Sequence, residues 1–133
     1  MTIFKLSISS KNRLEGVDPR LIAVIDLALT ITLIDFGIPK DGGLRTDARQ
    51  FEMYCDPDIK TNCDGEMKRS NHQDGRAVDF YAYVGGMASW DKYHLTHIAA
   101  AILQAANTLD IKIRWGGFFG LTGWDKPHIE LAD

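Results

Sequence analysis

The chain has 133 residues, a length that fits one compact domain, and we expect residues 1–133 to form a single domain. A hydrophobic fraction of 45% and a charged fraction of 25% are ordinary for a globular protein and exclude a disordered chain. The formal net charge of -3 argues against nucleic-acid binding, which usually requires an excess of basic residues.

The N-terminus and the longest apolar stretch argue against export and against membrane insertion. Residues 1–10 lack the charged start and long apolar run of a secretory signal. The apolar stretch at residues 21–34 is interrupted by Asp26 and two threonines, which makes it unsuitable as a membrane span. We therefore expect the protein to be made in the cytoplasm and not to export itself through the general secretory pathway.

The first predicted element is a long helix. Asp18 can cap a helix, and Pro19 suits the first helical position. Helical spacing continues to about Asp35, and Gly37 and Pro39 end it. The apolar set on this spacing is Leu21, Ile22, Ile25, Leu29 and Leu33. Further apolar residues widen the face, so we expect burial on most sides.

The middle of the chain is predicted to be mainly loop. An Asp-Gly-Gly turn precedes a short strand that ends at Arg45, and residues 46–56 suit a helical turn. Residues 55–71 are polar, and a loop of this length in a compact domain is usually functional or mobile. For Cys55 and Cys63 the sequence favours reduced thiols over a disulfide formed after release from the cell. A zinc site that uses both is least favoured, because their spacing is not the usual Cys-x2-4-Cys.

The second half of the chain predicts three strands and a second helix. Residues 76–84 alternate and are rich in aromatic and β-branched side chains, and a Gly-Gly pair breaks this strand. Ser89 is predicted to cap a helix that runs to about Leu109. Short strands at residues 111–115 and 128–131 flank a loop of glycines and aromatic residues. Two main helices packed on an antiparallel or mixed sheet give an α+β domain.

Two pairs of a histidine and an aspartate are candidates for chemistry. His72 ends a loop, and Asp79 lies in the following strand, where a buried carboxylate must be paired or bind a metal. The alternative is that Asp79 faces solvent. Asp125 and His128 form the second pair, near the end of the chain. Two imidazoles and one carboxylate on a metal, with one free carboxylate, are the composition of a hydrolytic zinc site. Spacing alone does not specify it, because the His-Glu-x-x-His helix signature is absent.

Residues 70–79, Ser-Asn-His-Gln-Asp-Gly-Arg-Ala-Val-Asp, match the pattern Ser-x-His-x-x-Gly-x-Ala-x-Asp. This pattern resembles the D-alanyl-D-alanine carboxypeptidase and dipeptidase family of zinc peptidases, which also contains L-alanyl-D-glutamate endopeptidases of tailed phages. Two shorter motifs occur in the family's order. Leu-Arg-Thr at 44–46 is similar to the arginine that closes an early strand, and Asp-Lys-Pro-His at 125–128 is similar to the second motif. The resemblance covers residues 40–133.

The resemblance implies a role for each matched residue. His72, Asp79 and His128 would ligate Zn²⁺, and Asp125 would be the catalytic base and later the acid. Many members of the family have glutamate at the position of Asp125. Aspartate there resembles the phage endopeptidase branch. Arg45 would stabilise the carbonyl oxyanion or hold a substrate carboxylate, because its planar fork matches pairs of oxygens. The alternative for Arg45 is a surface ion pair.

Residues beside the motifs have alternatives of their own. Ser70 and Trp124 are assigned to substrate binding, with a loop-end cap and core packing as the respective alternatives. The aromatic residues around the 116–123 loop could wall a cleft for the sugar-peptide substrate. That loop has no acidic residue, so the calcium loop of related phage enzymes is not expected. His94 and His97 share a helix face, where surface positions are favoured over a metal pair.

Two acidic residues near the motifs, Asp74 and Glu130, have no match in the family. We expect both to be solvated, with orientation of a ligand imidazole as the alternative. The resemblance implies a fold like that of the D-Ala-D-Ala peptidases and of the hedgehog signalling domain. It implies an endolysin that hydrolyses the L-Ala–D-Glu bond of peptidoglycan stem peptides. The alternatives are a D-Ala-D-Ala carboxypeptidase or dipeptidase, and a non-catalytic zinc module.

The same resemblance sets the expected partners and location. The partner would be bacterial peptidoglycan. From charge and hydropathy we expect no nucleic acid and no membrane insertion, and we expect a monomer. It would remain in the host cytoplasm until a separate membrane-pore protein lets it reach the periplasm and cell wall. A catalytic domain without a wall-binding domain is typical of enzymes for thin, Gram-negative walls.

Overall fold

The computed structural model describes residues 3–133, which form four α-helices and six short strands. The helices are α1 (Ile8–Arg13), α2 (Pro19–Ile31), α3 (Asp47–Cys55) and α4 (Lys92–Thr108). The strands are β1 (Asp35–Gly37), β2 (Ala77–Asp79), β3 (Tyr81–Val84), β4 (Met87–Ser89), β5 (Ile113–Trp115) and β6 (His128–Leu131). Two 3-10 turns, Asn71–Asp74 and Gly116–Phe118, precede β2 and follow β5.

The strands form two antiparallel sheets of three strands each. One sheet has the order β1-β3-β4, and the other has the order β2-β6-β5. The register of the second sheet pairs Asp79 with His128, so two residues far apart in sequence become direct neighbours. The predicted α+β class, with two main helices and antiparallel sheets, is confirmed.

One hydrophobic core joins the two long helices to both sheets. Helix α2 packs on α4, and α4 also contacts β3 and β5. The fully buried side chains include Leu21, Val24, Ile25, Val78, Phe80, Ile98, Ile102 and Ile129. Burial of apolar surface is the main stabilising contribution to such a fold. Because Val78 and Ile129 belong to it, the core holds in place the two strands that carry Asp79 and His128.

The first long helix begins as predicted and ends earlier. The Asp18 side chain accepts a hydrogen bond from the backbone N–H of Arg20, and Pro19 opens the helix. The predicted end near Asp35 is wrong, because α2 ends at Ile31. The Thr32 hydroxyl donates to the carbonyl of Ile34 over 2.7 Å, a local bond that competes with helix continuation. Leu33, predicted on the buried face, is 86% exposed.

The predicted strand over residues 76–84 is in fact two strands. The chain leaves one sheet after Asp79 and enters the other at Tyr81, which pairs with Gly37. The short strand predicted to end at Arg45 is also wrong, because that segment has no strand partner. It is held instead by single backbone bonds, such as that from the Arg45 N–H to the His72 carbonyl. The helical turn predicted after it is confirmed as α3.

Three short elements, α1, β1 and β4, were not predicted, because they are too short to show the spacing of apolar residues that marks a helix or a strand. The predicted cap of the second helix is wrong by two residues. Asp91 is the cap, and its carboxylate accepts from the N–H groups of Tyr93 and His94. Ser89 instead bonds the His94 ring over 2.7 Å. Among residues 3–133 no helix is both long and apolar enough to cross a membrane.

Candidate metal centre and active-site cleft

Three side chains of metal-ligand type meet at one end of the β2–β6 pair. They are His72 from the first 3-10 turn, Asp79 from the end of β2 and His128 from the start of β6. One candidate ligand atom from each lies within 4.8 Å of the others. Asp79 Oδ1 is 3.3 Å from His72 Nε2 and 3.2 Å from His128 Nδ1. Two imidazole nitrogens and a carboxylate oxygen this close together could hold a metal ion.

The turn that carries His72 is built by its flanking motif residues. The Ser70 hydroxyl accepts from the His72 N–H over 3.3 Å, and the Gln73 side-chain oxygen accepts from the Ser70 N–H over 2.8 Å. This reciprocal arrangement is a capping box. Gly75 ends the turn at a φ of 70°, where an added Cβ would lie 2.6 Å from the Gly16 carbonyl oxygen. The motif serine and glycine therefore position His72.

The outer nitrogen of each imidazole is occupied by an acceptor. His72 Nδ1 lies 3.1 Å from the Gly43 carbonyl oxygen, so this nitrogen donates and Nε2 presents its lone pair to the centre. His128 Nε2 lies 2.8 Å from Glu130 Oε1, so Nδ1 is the nitrogen that faces the centre, where it lies 3.2 Å from Asp79 Oδ1. Such partners fix the tautomer and orientation of ligand histidines and raise their basicity.

The expectation that Glu130 is solvated is wrong. Its side chain is only 14% exposed, and its bond to His128 makes it the orienter of that imidazole. The hydrogen bond to His128 is the largest of the effects that lower the pKa of the Glu130 carboxyl. A usable signal exists, because Glu130 lies two residues after His128 on one strand and so on the same face. Asp74 is solvated as expected and pairs with Arg69 at the surface.

Opposite charges compensate one another inside the centre. Burial tends to raise the pKa of Asp79, but the adjacent His72 and His128 outweigh it and hold this pKa well below its usual range. Burial tends to lower the pKa of His128, but its bonds to Asp79 and Glu130 raise that pKa to about 9. The Asp79 side chain is 21% exposed and contacts both imidazoles, so the solvent-facing alternative is wrong. The carboxylates of Asp79 and Glu130 therefore favour a positive charge at His128.

Asp125 lies beside the centre and is not one of the three candidate ligands. Its Oδ2 is 3.7 Å from His128 Nδ1, and its side chain is 28% exposed. Its backbone packs so tightly that an added Cβ at Gly116 would lie 1.8 Å from the Asp125 carbonyl oxygen. Burial raises the pKa of the Asp125 carboxyl, and the negative charge of Asp79 adds to this against the opposing effect of His128. A carboxyl with a raised pKa suits proton transfer near neutral pH.

Arg45 reaches into the centre from the irregular segment before α3. Its Nη2 donates to Asp79 Oδ2 over 3.3 Å, and its Nε donates to the Asp41 carbonyl over 2.9 Å. The side chain is 10% exposed, so the surface ion pair considered from the sequence is wrong. Burial lowers the pKa of Arg45, with Asp79 opposing this, yet a guanidinium stays charged in proteins. Arg45 thus orients Asp79.

Gln50 is a positioning residue that the sequence did not reveal. It is fully buried on α3, and its side-chain oxygen accepts from Arg45 Nη1 over 3.2 Å. Its amide donates to the Thr61 hydroxyl over 3.2 Å and to the Cys63 carbonyl over 2.9 Å. Gln50 therefore fixes the loop after α3 relative to Arg45. A glutamine in an amphipathic helix is usually on the surface, so its sequence position carries no signal.

The centre forms part of the lining of an open cleft with a volume of about 380 Å³. The polar loop after α3 contributes one group of lining residues, which includes Lys60, Thr61 and Cys63. Aromatic side chains, Phe119 and Trp124, contribute another. Every residue that the sequence predicts for the site lines this cleft, namely Arg45, Ser70, His72, Asp79, Trp124, Asp125 and His128.

The sequence model of the phage L-alanyl-D-glutamate peptidase family matches residues 1–132. The chain belongs to this family. It is 30% identical to the L-alanyl-D-glutamate peptidase of Escherichia phage T5, over 97% of this chain and 98% of that protein. Its structure is similar to the crystal structure of the Serratia marcescens L-Ala D-Glu endopeptidase ChiX. That comparison has a TM-score of 0.81 and 36% identity, and it covers 96% of this chain and 90% of the other.

These comparisons confirm the resemblance to the phage endopeptidase branch and identify this peptidase-family member as an enzyme. Two pairs of residues considered as metal ligands from the sequence lie outside the group formed by His72, Asp79 and His128. His97 is exposed on α4, and His94 bonds Ser89. Both cysteines are free thiols, Cys55 exposed and Cys63 half-buried. Within residues 3–133, neither pair joins the group formed by His72, Asp79 and His128.

Proposed function

We propose that this peptidase hydrolyses the L-Ala–D-Glu bond of peptidoglycan stem peptides with a zinc ion held by His72, Asp79 and His128. One observation carries the proposal: three ligand atoms converge within 4.8 Å beside a separate carboxylate, in a chain of the phage L-alanyl-D-glutamate peptidase family. We further propose that residues 1–133 are one catalytic domain, which the single hydrophobic core supports.

The ligand group fits zinc in its chemistry. Two imidazoles and one carboxylate that leave a further position open are a usual catalytic zinc set. The Gly43 carbonyl and Glu130 support the fit, because each holds the outer nitrogen of one imidazole and so turns the other nitrogen toward the centre. A bound zinc ion would act as a Lewis acid that polarises the scissile carbonyl and acidifies the attacking water.

The chain's own residues would move the protons and orient the substrate. Asp125 would accept the proton of the attacking water and pass it to the leaving amine of D-Glu. Its burial supports this role, because the raised pKa makes the carboxyl a better proton acceptor. Arg45 would keep Asp79 oriented, and its remaining N–H groups would bind the carbonyl oxygen or a substrate carboxylate.

Ser70 and Trp124 would line the path of the substrate. Both lie in the cleft lining, and Trp124 is 62% exposed, which leaves its indole accessible. The Ser70 hydroxyl already accepts a bond from the His72 backbone, which supports a positioning role besides any contact with substrate. We propose that Trp124 packs against the substrate.

Glu130→Ala should weaken zinc binding by about 10–100-fold, the usual effect of removing the partner of a ligand histidine. Without Glu130, the His128 ring loses the acceptor that holds Nδ1 toward the ion. Competition with a chromophoric chelator measures the dissociation constant. Glu66→Ala removes an exposed glutamate of the polar loop and is the matched control, for which no change is expected. Equal zinc affinity in both variants would show that Glu130 does not support the ligand.

Digestion of purified peptidoglycan by the zinc-loaded protein tests the proposed function, with mass spectrometry of the fragments as readout. New N-terminal D-Glu on the stem peptides, abolished by a chelator, is the expected result. Loss of only a terminal D-Ala would assign the protein to the carboxypeptidase alternative. An unchanged fragment pattern would contradict the proposal.

We also propose that the enzyme acts as a monomeric endolysin that stays in the host cytoplasm until a membrane-pore protein releases it to the wall. Membership of a phage peptidase family supports this location. Expression in a Gram-negative host should cause lysis only when a pore protein is produced in the same cells. Lysis by the enzyme alone would contradict this location.

A further inference from the structure

A second cavity, of about 320 Å³, adjoins the active-site cleft, and Trp124 lines both. Its other lining residues include Trp90 before α4 and Lys92 and Leu95 within it. Thr122 and Lys126 line it from the segment around Asp125. The cavity therefore lies beside the proposed catalytic site and shares one indole ring with it.

The two indoles of this cavity are exposed and held in place. Trp90 is 54% exposed, and its ring lies 5.9 Å from that of Tyr81. The Trp124 ring lies 6.0 Å from that of Phe119, which in turn lies 5.7 Å from the ring of His128. Large exposed aromatic surfaces usually mark a binding site in a soluble protein. A chain of aromatic contacts thus leads from the metal-centre residues to this cavity.

The polar groups of the cavity complement its aromatic faces. Lys126 Nζ donates to the carbonyls of Thr122 and Gly123, over 3.2 and 2.8 Å, and so braces the loop next to Trp124. Lys92 adds an ammonium group, which lies 5.3 Å from the centre of the Tyr93 ring. A ligand that suits this lining has an apolar face for the indoles and hydroxyl or carbonyl oxygens for the lysines.

The chemistry of peptidoglycan supplies such a group close to the scissile bond. The L-Ala of the stem peptide is amide-linked to the lactyl group of the muramyl sugar, so the sugar lies one residue from the scissile bond. A pyranose ring has an apolar C–H face and polar oxygens around its edge. We propose that the cavity between Trp90 and Trp124 binds this N-acetylated muramyl sugar, an inference that rests on the proposed function.

Two substrates separate sugar binding from catalysis. One is a stem peptide that carries N-acetylmuramic acid on L-Ala, and the other carries an acetyl group there. The zinc-loaded enzyme should show a higher kcat/KM for the first. The sugar preference is the kcat/KM for the first substrate divided by that for the second. Trp90→Ala should reduce this ratio by roughly five- to tenfold, a usual loss for one aromatic contact that the ligand buries. Trp90→Phe, which keeps an aromatic face, should lose less.

Phe51→Ala is the control, because Phe51 is 56% exposed on α3 and lines neither cavity. It should leave the ratio unchanged. An unchanged ratio in both Trp90 variants, with both substrates still cleaved, would overturn the sugar site and leave the proposed function intact. Failure of the unmodified enzyme to cleave either substrate would overturn the proposed function, and the sugar site with it.

Binding of the sugar can also be observed without catalysis. In the ¹⁵N-labelled protein, N-acetylmuramyl-L-alanine should shift the indole N–H signals of Trp90 and Trp124. The signal of Trp115, which is buried and bonded to the Lys126 carbonyl, should move least. Saturable shifts at Trp90 would support the site, and a Trp90 signal that stays fixed would overturn it.

Discussion

Asp125→Asn should lower kcat by about 10²–10⁴-fold while the zinc content stays the same, because general acid–base catalysis contributes about that much. The substitution keeps the size of the side chain and removes the basic oxygen that lies beside His128. Asp125 stands outside the group of three ligand atoms, so the metal should remain. Steady-state kinetics on a stem peptide and metal analysis of the same sample measure both quantities.

Asp110→Asn provides the matched control for this substitution. Asp110 is exposed in the turn after α4 and does not line the cleft, so its variant should retain full activity. Full activity in Asp125→Asn would show that another residue is the catalytic base. A loss of zinc together with activity would show instead that Asp125 is a ligand.

His72→Ala should abolish zinc binding and activity together. It removes one of three ligands, so the loss of affinity should exceed the ~10–100-fold expected when only a supporting partner is removed. His72 is 3% exposed and bonded to the Gly43 carbonyl, so a part of its effect will also be a lower thermal stability. Metal analysis, activity and thermal unfolding on one preparation separate these effects.

The control for that variant is His97→Ala. His97 is an exposed histidine on α4, and its removal should change neither zinc content nor turnover. A His72→Ala protein that still binds one zinc per chain with unchanged affinity would contradict the ligand assignment. Loss of zinc in His97→Ala would place a metal on α4 instead.

Much of the candidate site could be predicted from the sequence, because its residues lie in short local motifs that resemble those of a known family. The serine and glycine that flank His72 build one tight turn, and the spacing from His72 to Asp79 spans that turn and one short strand. The helix start at Asp18-Pro19 was equally local, since a cap acts within one turn. Such features are encoded within a few residues.

Features that depend on distant contacts could not be predicted in the same way. The break at Phe80 arises because β2 and β3 pair with different partners, and no alternation of side chains reports this. The role of Gln50 depends on Arg45 and on a loop that meets it only in the folded chain. Glu130 could have been placed from its strand position, but only once His128 is known to point into the centre.

X-ray absorption at the zinc edge of the zinc-loaded protein tests the central claim most directly. The ligands His72, Asp79 and His128 predict a first shell of nitrogen and oxygen only, at about 2.0–2.2 Å, with the outer-shell scattering of two imidazoles. Cys63 lines the same cleft as a free thiol, so a competing arrangement is available to the ion. A sulfur ligand at about 2.3 Å would contradict the account.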